Sequence, residues 1–215
     1  MASLLGQFYT RIKGSQEDIA SEGLTYILQS SNSARLSLNK IINLESGLNF
    51  ENISYSTQNI GEKLERPDIS GFNNYGKEVI IIEAKFWASL TDNQPIEYLN
   101  RLPAKSILIF ICPTLRVKPV FEEILMRIKK AEINYSINNQ NNLLSFENDK
   151  KLIVKTWQEV LGIIRINLVQ DNEQILLSDI DQIIGLCDTI ANNSFQPYQS
   201  IDFSPSNAKK NQFVL

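Results

Sequence analysis

The sequence predicts an α/β domain in which a mixed central β-sheet is flanked by helices. Three observations carry this expectation. Val79-Ile80-Ile81-Ile82 and the run at 106–112 are strand-sized and too rich in β-branched and aromatic residues for helix. Segments with helical spacing of apolar residues come before, between and after them. The resulting order (helix, strands, helix, strand, helix, strand, helices) is that of a sheet covered by helices.

Residues 16–30 have helical spacing, with Ile19, Gly23, Leu24, Ile27 and Leu28 on one face. Ser15 is the expected N-cap, and Glu17 and Asp18 fall in the first turn, where the helix dipole favours acids. Residues 36–44 fit either a strand or a second short helix, and 51–56 alternate weakly, as an edge strand does. A short strand over 66–72 leads into Asn73-Asn74-Tyr75-Gly76, which has turn chemistry. Residues 78–86 then read as a buried strand.

A helix is expected over 93–102, with Pro95 tolerated in its first turn. The second buried strand, 106–112, is closed by Pro113, and 119–131 reads as an amphipathic helix beginning at proline. An Asn-rich loop over 138–142 precedes a third strand over 151–155. Helices over 157–168 and 179–191 follow. One domain is therefore expected over 1–191. Residues 192–215 are polar with scattered Phe195, Tyr198, Phe203 and Phe213, and are expected to be a tail or the start of a further region.

Composition narrows the chemistry. At 215 residues, 43% hydrophobic and 21% charged, the chain can bury a core and matches a soluble globular domain. No apolar run is long enough to span a bilayer and no signal peptide is evident, so a cytoplasmic setting without membrane contact is expected. Cys112 and Cys187 sit in apolar stretches and read as buried thiols. The sequence has no histidine, which excludes Ser-His-Asp and Cys-His catalysis and His-ligated zinc. Carboxylates around Mg²⁺ are the hydrolytic design left most workable.

Net charge is −3, yet its distribution is uneven. Residues 101–130 hold seven basic side chains against Glu122 and Glu123, whereas 51–100 hold eight acidic against four basic. An acidic centre beside a basic flank suits a metal site next to a phosphate track; solvated helix faces are the plainer reading.

Gly71-Phe72-Asn73-Asn74-Tyr75-Gly76-Lys77 has the spacing of a Walker A phosphate loop. That loop needs a following Ser or Thr and a helix N-terminus at the phosphates. Glu78 and a strand follow instead, so nucleotide binding is rejected and a hairpin turn expected.

The flanks of that turn hold the candidate chemistry. Glu83 and Lys85 share one face of their strand, because side chains alternate with period two. A hairpin around the turn brings Asp68 beside that face. Charges on so apolar a strand are costly unless paired or metal-bound, so a cation site stands beside two plainer readings, a Glu83–Lys85 salt bridge and a strand end frayed towards solvent.

Pro67-Asp68 followed by Glu83-Ala84-Lys85 resembles the signature of the PD-(D/E)xK nuclease superfamily, which has the restriction-endonuclease-like fold. Residues 16–22 (Gln-Glu-Asp-Ile-Ala-Ser-Glu) resemble the first helix of such nucleases, and Asp92-Asn93-Gln94 with Tyr98 resembles their Gln-and-Tyr helix. The likeness covers residue 16 to about 112. It implies a Mg²⁺-dependent nuclease, with Mn²⁺ as a substitute, in which Asp68, Glu83 and the Ala84 backbone carbonyl ligate the ion. Either Glu17 or Glu22 would complete the site. Lys85 would orient or help deprotonate the attacking water, and Gln94 would contact the scissile phosphate or an ion-bound water, braced by Tyr98.

Arg101, Lys105, Arg116 and Lys118 are the candidates for phosphate contact. Phe86, Trp87 and Trp157 are read as packing rather than base-stacking platforms. DNA is expected ahead of RNA, with bacterial anti-phage defence or DNA maintenance as the setting by analogy. A non-cleaving nucleic-acid-binding or sensor module on the same fold is the alternative. A homodimer, a further domain or a partner subunit stays open.

Overall fold

The computed structural model describes residues 16–57, 66–92, 94–138 and 141–193. The expected N-cap Ser15, Asn93, Asn139 and Gln140 of the Asn-rich loop and the aromatic residues of the C-terminal tail lie outside the described residues. Two helices open the fold, α1 (Gln16–Ser30) and α2 (Asn32–Ser46). Strands β1 (Ser54–Thr57), β2 (Ile69–Phe72) and β3 (Glu78–Ala84) follow, then α3 (Ile96–Arg101), β4 (Ile107–Cys112) and α4 (Val117–Lys130). The short pair β5 (Ser136–Asn138) and β6 (Leu143–Ser145) precedes β7 (Lys151–Thr156), α5 (Trp157–Gln170) and α6 (Gln174–Asn193).

The seven strands form one mixed sheet in the order β1-β2-β3-β4-β7-β6-β5. Its centre, β3-β4-β7, is parallel, and the flanking pairs are antiparallel. The architecture is thus the expected α/β sheet flanked by helices. Parallel strands need both faces covered, which is why Ile107–Cys112 is buried along its whole length. Helices α1, α2, α5 and α6 cover one face over Ile80, Ile82, Ile107, Ile109 and Ile153. Helices α3 and α4 cover the other over Ile81, Leu108, Phe110 and Leu152.

Several local expectations hold and several shift. The open choice at 36–44 resolves as helix: Ser31 caps the Ala34 amide and Gly47 closes the end at φ 73°. The helix expected to begin at Pro119 begins at Val117, leaving the proline in the first turn, where its missing N–H costs nothing. Helix α3 is shorter than expected, with Pro95 as N-cap. The strands β5 and β6, which flank the Asn-rich loop, were not anticipated; three residues each carry too little pattern. Helix α6 begins five residues before 179.

The Walker-like segment is a turn. Gly76 adopts φ 70°, its N–H donates to the Asn73 carbonyl at 2.9 Å, and the Asn73 side chain accepts from Tyr75 and Lys77 amides. Gly71 serves packing: a Cβ there would lie 2.9 Å from that of Ile80 and 3.0 Å from an Ile53 methyl. Phe86 stacks on Trp157 at 5.4 Å between ring centres, and the Trp87 indole donates to the Ile190 carbonyl. All three aromatics pack, as expected. No helix among the described residues is long and apolar enough to cross a membrane.

Candidate functional site

The apolar rows of β3 end in a polar cluster. Ile81 and Glu83 point to the α3/α4 face, while Ile82 and Ala84 point to the opposite core. The β2–β3 register pairs Ile69 with Ile82, and one step further sets Asp68 across from Glu83 on the same face. The next step sets Pro67 across from Ala84. Proline has no N–H to give the Ala84 carbonyl, so the ladder stops here. The Ala84 N–H donates instead to Asp68 Oδ2 at 2.7 Å.

Glu83 and Lys85 are 4% and 5% exposed. Lys85 Nζ lies 2.9 Å from Glu83 Oε1, and the same oxygen accepts from Gln94 Nε2 at 2.6 Å. The Tyr98 hydroxyl accepts from Gln94 Nε2 at 3.4 Å and favours the charged form of Glu83. The other oxygen, Oε2, is buried without a hydrogen-bond partner. An acceptor left bare in the interior costs free energy unless a cation or donor meets it.

Gln94 is buried, and its orientation is settled by its neighbours. Its Oε1 accepts from the Thr91 N–H at 3.1 Å, so Nε2 must be the end facing Glu83 and Tyr98. Gln94 thus contacts the Glu83 carboxylate directly.

Helix α1 reaches the cluster through Glu17, whose Oε1 accepts the Phe86 N–H at 2.6 Å, just past Lys85. Glu22 lies on the Asp68 side of the cluster: it accepts from the Thr57 hydroxyl and, with Asp18, Ser21, Arg66, Pro67 and Asp68, lines a cavity of about 180 Å³. Of the two helix carboxylates, Glu17 acts electrostatically on Asp68 and Lys85. Asp68 is the partly exposed member of the core trio and borders that cavity.

No protein-family model, no curated protein and no solved structure matches this chain. The chemistry of the cluster therefore rests on its own geometry. Burial and the neighbouring Glu83 charge push the Asp68 carboxyl well above the ordinary carboxylate range, against the pull of the Ala84 N–H and Lys85. Burial also raises Glu83, in opposition to Lys85 and the Gln94 and Tyr98 hydrogen bonds. For Lys85, burial is the largest single influence and favours the neutral amine. The Glu83 ion pair, with Glu17 and Asp68 behind it, outweighs that and raises the ammonium pKa.

Among the described residues, no three acidic or cysteine side chains are gathered tightly enough to hold an ion by themselves. Mg²⁺ asks for less, keeping several waters and taking one or two carboxylates. The bare Glu83 Oε2, the Asp68 carboxylate across the strand pair and the Ala84 backbone carbonyl are an all-oxygen set of the kind such a cation takes. The raised Asp68 and Glu83 carboxyls are what a divalent charge beside them would relieve.

The basic candidates divide. Arg101 grips Glu78 with two hydrogen bonds, 2.5 and 2.8 Å, at the far end of β3, five residues and roughly 16 Å from Glu83. Lys105 sits at the same remote edge, where its N–H donates to Asn148. Arg116 and Lys118 follow the end of β4 nearest the cluster. Arg116 donates to the Trp87 and Ala88 carbonyls, and Lys118 is exposed, 3.9 Å from Glu122. Sequence reading missed Thr91 and Arg127, which hold Gln94 in place. Arg127 looks like any basic residue on an amphipathic helix, and only Glu123 one turn before it hinted at an anchored side chain.

Proposed function

We propose that this chain is a Mg²⁺-dependent nuclease of the PD-(D/E)xK type, on a restriction-endonuclease-like fold, hydrolysing phosphodiester bonds in nucleic acid. One observation carries the reading: Glu83 keeps a buried, unpartnered Oε2 beside Asp68 while its other oxygen is saturated by Lys85 and Gln94. A simple salt bridge has no use for the bare oxygen or the second carboxylate.

Asp68, Glu83 and the Ala84 carbonyl would hold the ion, with Glu17 as the helix carboxylate beside them. Bound there, Mg²⁺ supplies Lewis-acid polarisation of the phosphodiester and a more acidic water. Lys85, held as an ammonium by Glu83, is a donor and not a base. Its role is to orient the attacking water and to meet negative charge growing on the phosphoryl oxygens. Gln94 and Tyr98 hold the carboxylate of Glu83 in one orientation. Lys118, exposed just beyond the end of β4, is available to the phosphate backbone. DNA as the polymer, and defence or DNA maintenance as the setting, rest on the resemblance alone.

A second reading has its own support. The 2.9 Å Glu83–Lys85 contact is a buried ion pair that can stand as a structural element. Incubation with single-stranded, duplex and supercoiled DNA and with RNA, in Mg²⁺ or Mn²⁺, separates the readings when run beside Lys85→Ala. Metal-dependent cleavage lost in the variant is the expected result. Binding without cleavage would indicate a nucleic-acid-binding module, and neither binding nor a metal-induced thermal shift would leave the salt bridge.

A further inference from the structure

The loop between β3 and α3 must present Gln94 to Glu83. Three of its carbonyls converge on one side chain. Arg127, from the middle of α4, donates through Nη1 to the carbonyls of Thr91 and Gln94, the latter at 2.8 Å, and through Nη2 to that of Leu90 at 2.8 Å. Glu123, one turn earlier, accepts from Nη2 at 2.7 Å and balances the charge. Three backbone acceptors spread over five residues are thus tied to one rigid guanidinium fork, a geometry that an ammonium cannot reproduce.

The consequence reaches the cluster in two steps. Holding the Thr91 and Gln94 carbonyls keeps the Thr91 N–H aimed at Gln94 Oε1 and the Gln94 N–H at the Thr91 carbonyl. With Oε1 engaged, Nε2 can face only Glu83 Oε1 and Tyr98. Glu83 is then held with Oε1 saturated and Oε2 bare.

We propose that Arg127 is a positioning residue: through the 90–94 loop and Gln94 it determines which oxygen of Glu83 is left for a divalent cation. This rests on the proposed nuclease reading for its consequence, though not for the contact chain itself. Partners one shell beyond a ligand affect metal affinity by about 10–100-fold, and a residue acting through such a partner is expected to fall near the lower end.

The test compares Arg127→Ala, Arg127→Lys, Gln94→Ala and the Arg127→Ala/Gln94→Ala double variant, with Arg165→Ala as a surface control whose partner is Asp181. Mn²⁺ titration and cleavage give the metal half-saturation. Side-chain amide NMR follows the Gln94 NH₂ pair, identified by its loss in Gln94→Ala. The expected result is a weaker metal half-saturation in both Arg127 variants, a shifted or exchange-broadened Gln94 pair, and a double variant no worse than Gln94→Ala alone. An unchanged Gln94 signal in a folded Arg127→Ala protein overturns the proposal, as do effects that multiply in the double variant. If the wild-type protein neither binds Mn²⁺ nor cleaves, the nuclease reading fails, and the NMR arm still decides whether Arg127 orients Gln94.

Discussion

Asp68 accepts the Ala84 amide proton at 2.7 Å, so a side-chain carboxylate stands where a β2 backbone carbonyl would continue the ladder. The strand pair that should continue past Ile69 is replaced by a side chain held against the end of β3. Asp68 thereby lies across from Glu83, and burial together with that neighbouring charge makes its carboxylate expensive to ionise despite the Ala84 N–H.

Replacing Asp68 with Asn is expected to raise stability in the absence of divalent cation while abolishing cleavage. The Asp68 pKa is raised in the fold, so its favourable contribution is complete below its unfolded value near 3.8 and is lost as pH rises through the folded value. At neutral pH the aspartate is a burden that Asn lacks, and its amide oxygen can still accept from Ala84. The gain should be about 1 kcal/mol. Thermal melts in chelator from pH 4 to pH 9 should show the gap between variant and wild type widening with pH. A variant less stable throughout would mean that the Asp68 charge is not strained.

Cation binding should release protons. Asp68 and Glu83 both hold protons more tightly than free carboxyls, and a divalent ion competes for the same oxygens. Apparent affinity should therefore tighten as pH rises, approaching about tenfold per unit where one proton is displaced. Calorimetric Mn²⁺ titration in buffers of different ionisation enthalpy reads this directly; affinity independent of pH would contradict it.

Removing Lys85 should separate catalysis from the salt bridge. Lys85→Ala leaves Glu83 and Asp68 without their ammonium, which lowers stability. If the pair is a cation site, Mg²⁺ or Mn²⁺ should restore more stability to the variant than it adds to wild type. Cleavage should nonetheless fall by about 10²-fold or more, since the lost donor acts on the transition state. Scanning calorimetry with and without metal, beside a cleavage assay, measures both; the absence of any metal rescue would favour the structural pair.

Arg101→Ala is expected to weaken the fold and spare nucleic-acid binding. Its guanidinium pairs with Glu78, both side chains being largely buried, at the sheet edge remote from Glu83. Breaking that pair should cost about 3 kcal/mol. Lys118→Ala should show the opposite pattern, with unchanged stability and a shallower salt dependence of binding. Denaturant unfolding and binding across salt concentrations distinguish them, and equal losses of affinity would restore Arg101 as a phosphate contact.

Much of this was legible before the fold was known. The runs around Val79 and Ile107 declared central strands because only β-branched and aromatic side chains fill two covered faces. Period-two alternation alone put Glu83 and Lys85 on one face, and the Asn73–Gly76 turn alone brought Asp68 back toward them. The β5–β6 pair was not legible, since three-residue strands carry no period to detect. Nor was the choice at 36–44, where the helix is settled by Ser31 and Gly47 at its ends more than by its mixed interior.

By itself, the sequence determined the α/β class, the central strands and the shared face of Glu83 and Lys85, because these follow from local periodicity and turn chemistry. Only the tertiary structure decided that Glu17 and not Glu22 meets the strand end, that Gln94 serves Glu83, and that Arg101 belongs to Glu78. Those outcomes depend on which helix packs over which strand end. No local pattern encodes that, because contacts between residues distant in the chain arise only when the sheet order and helix placement are complete.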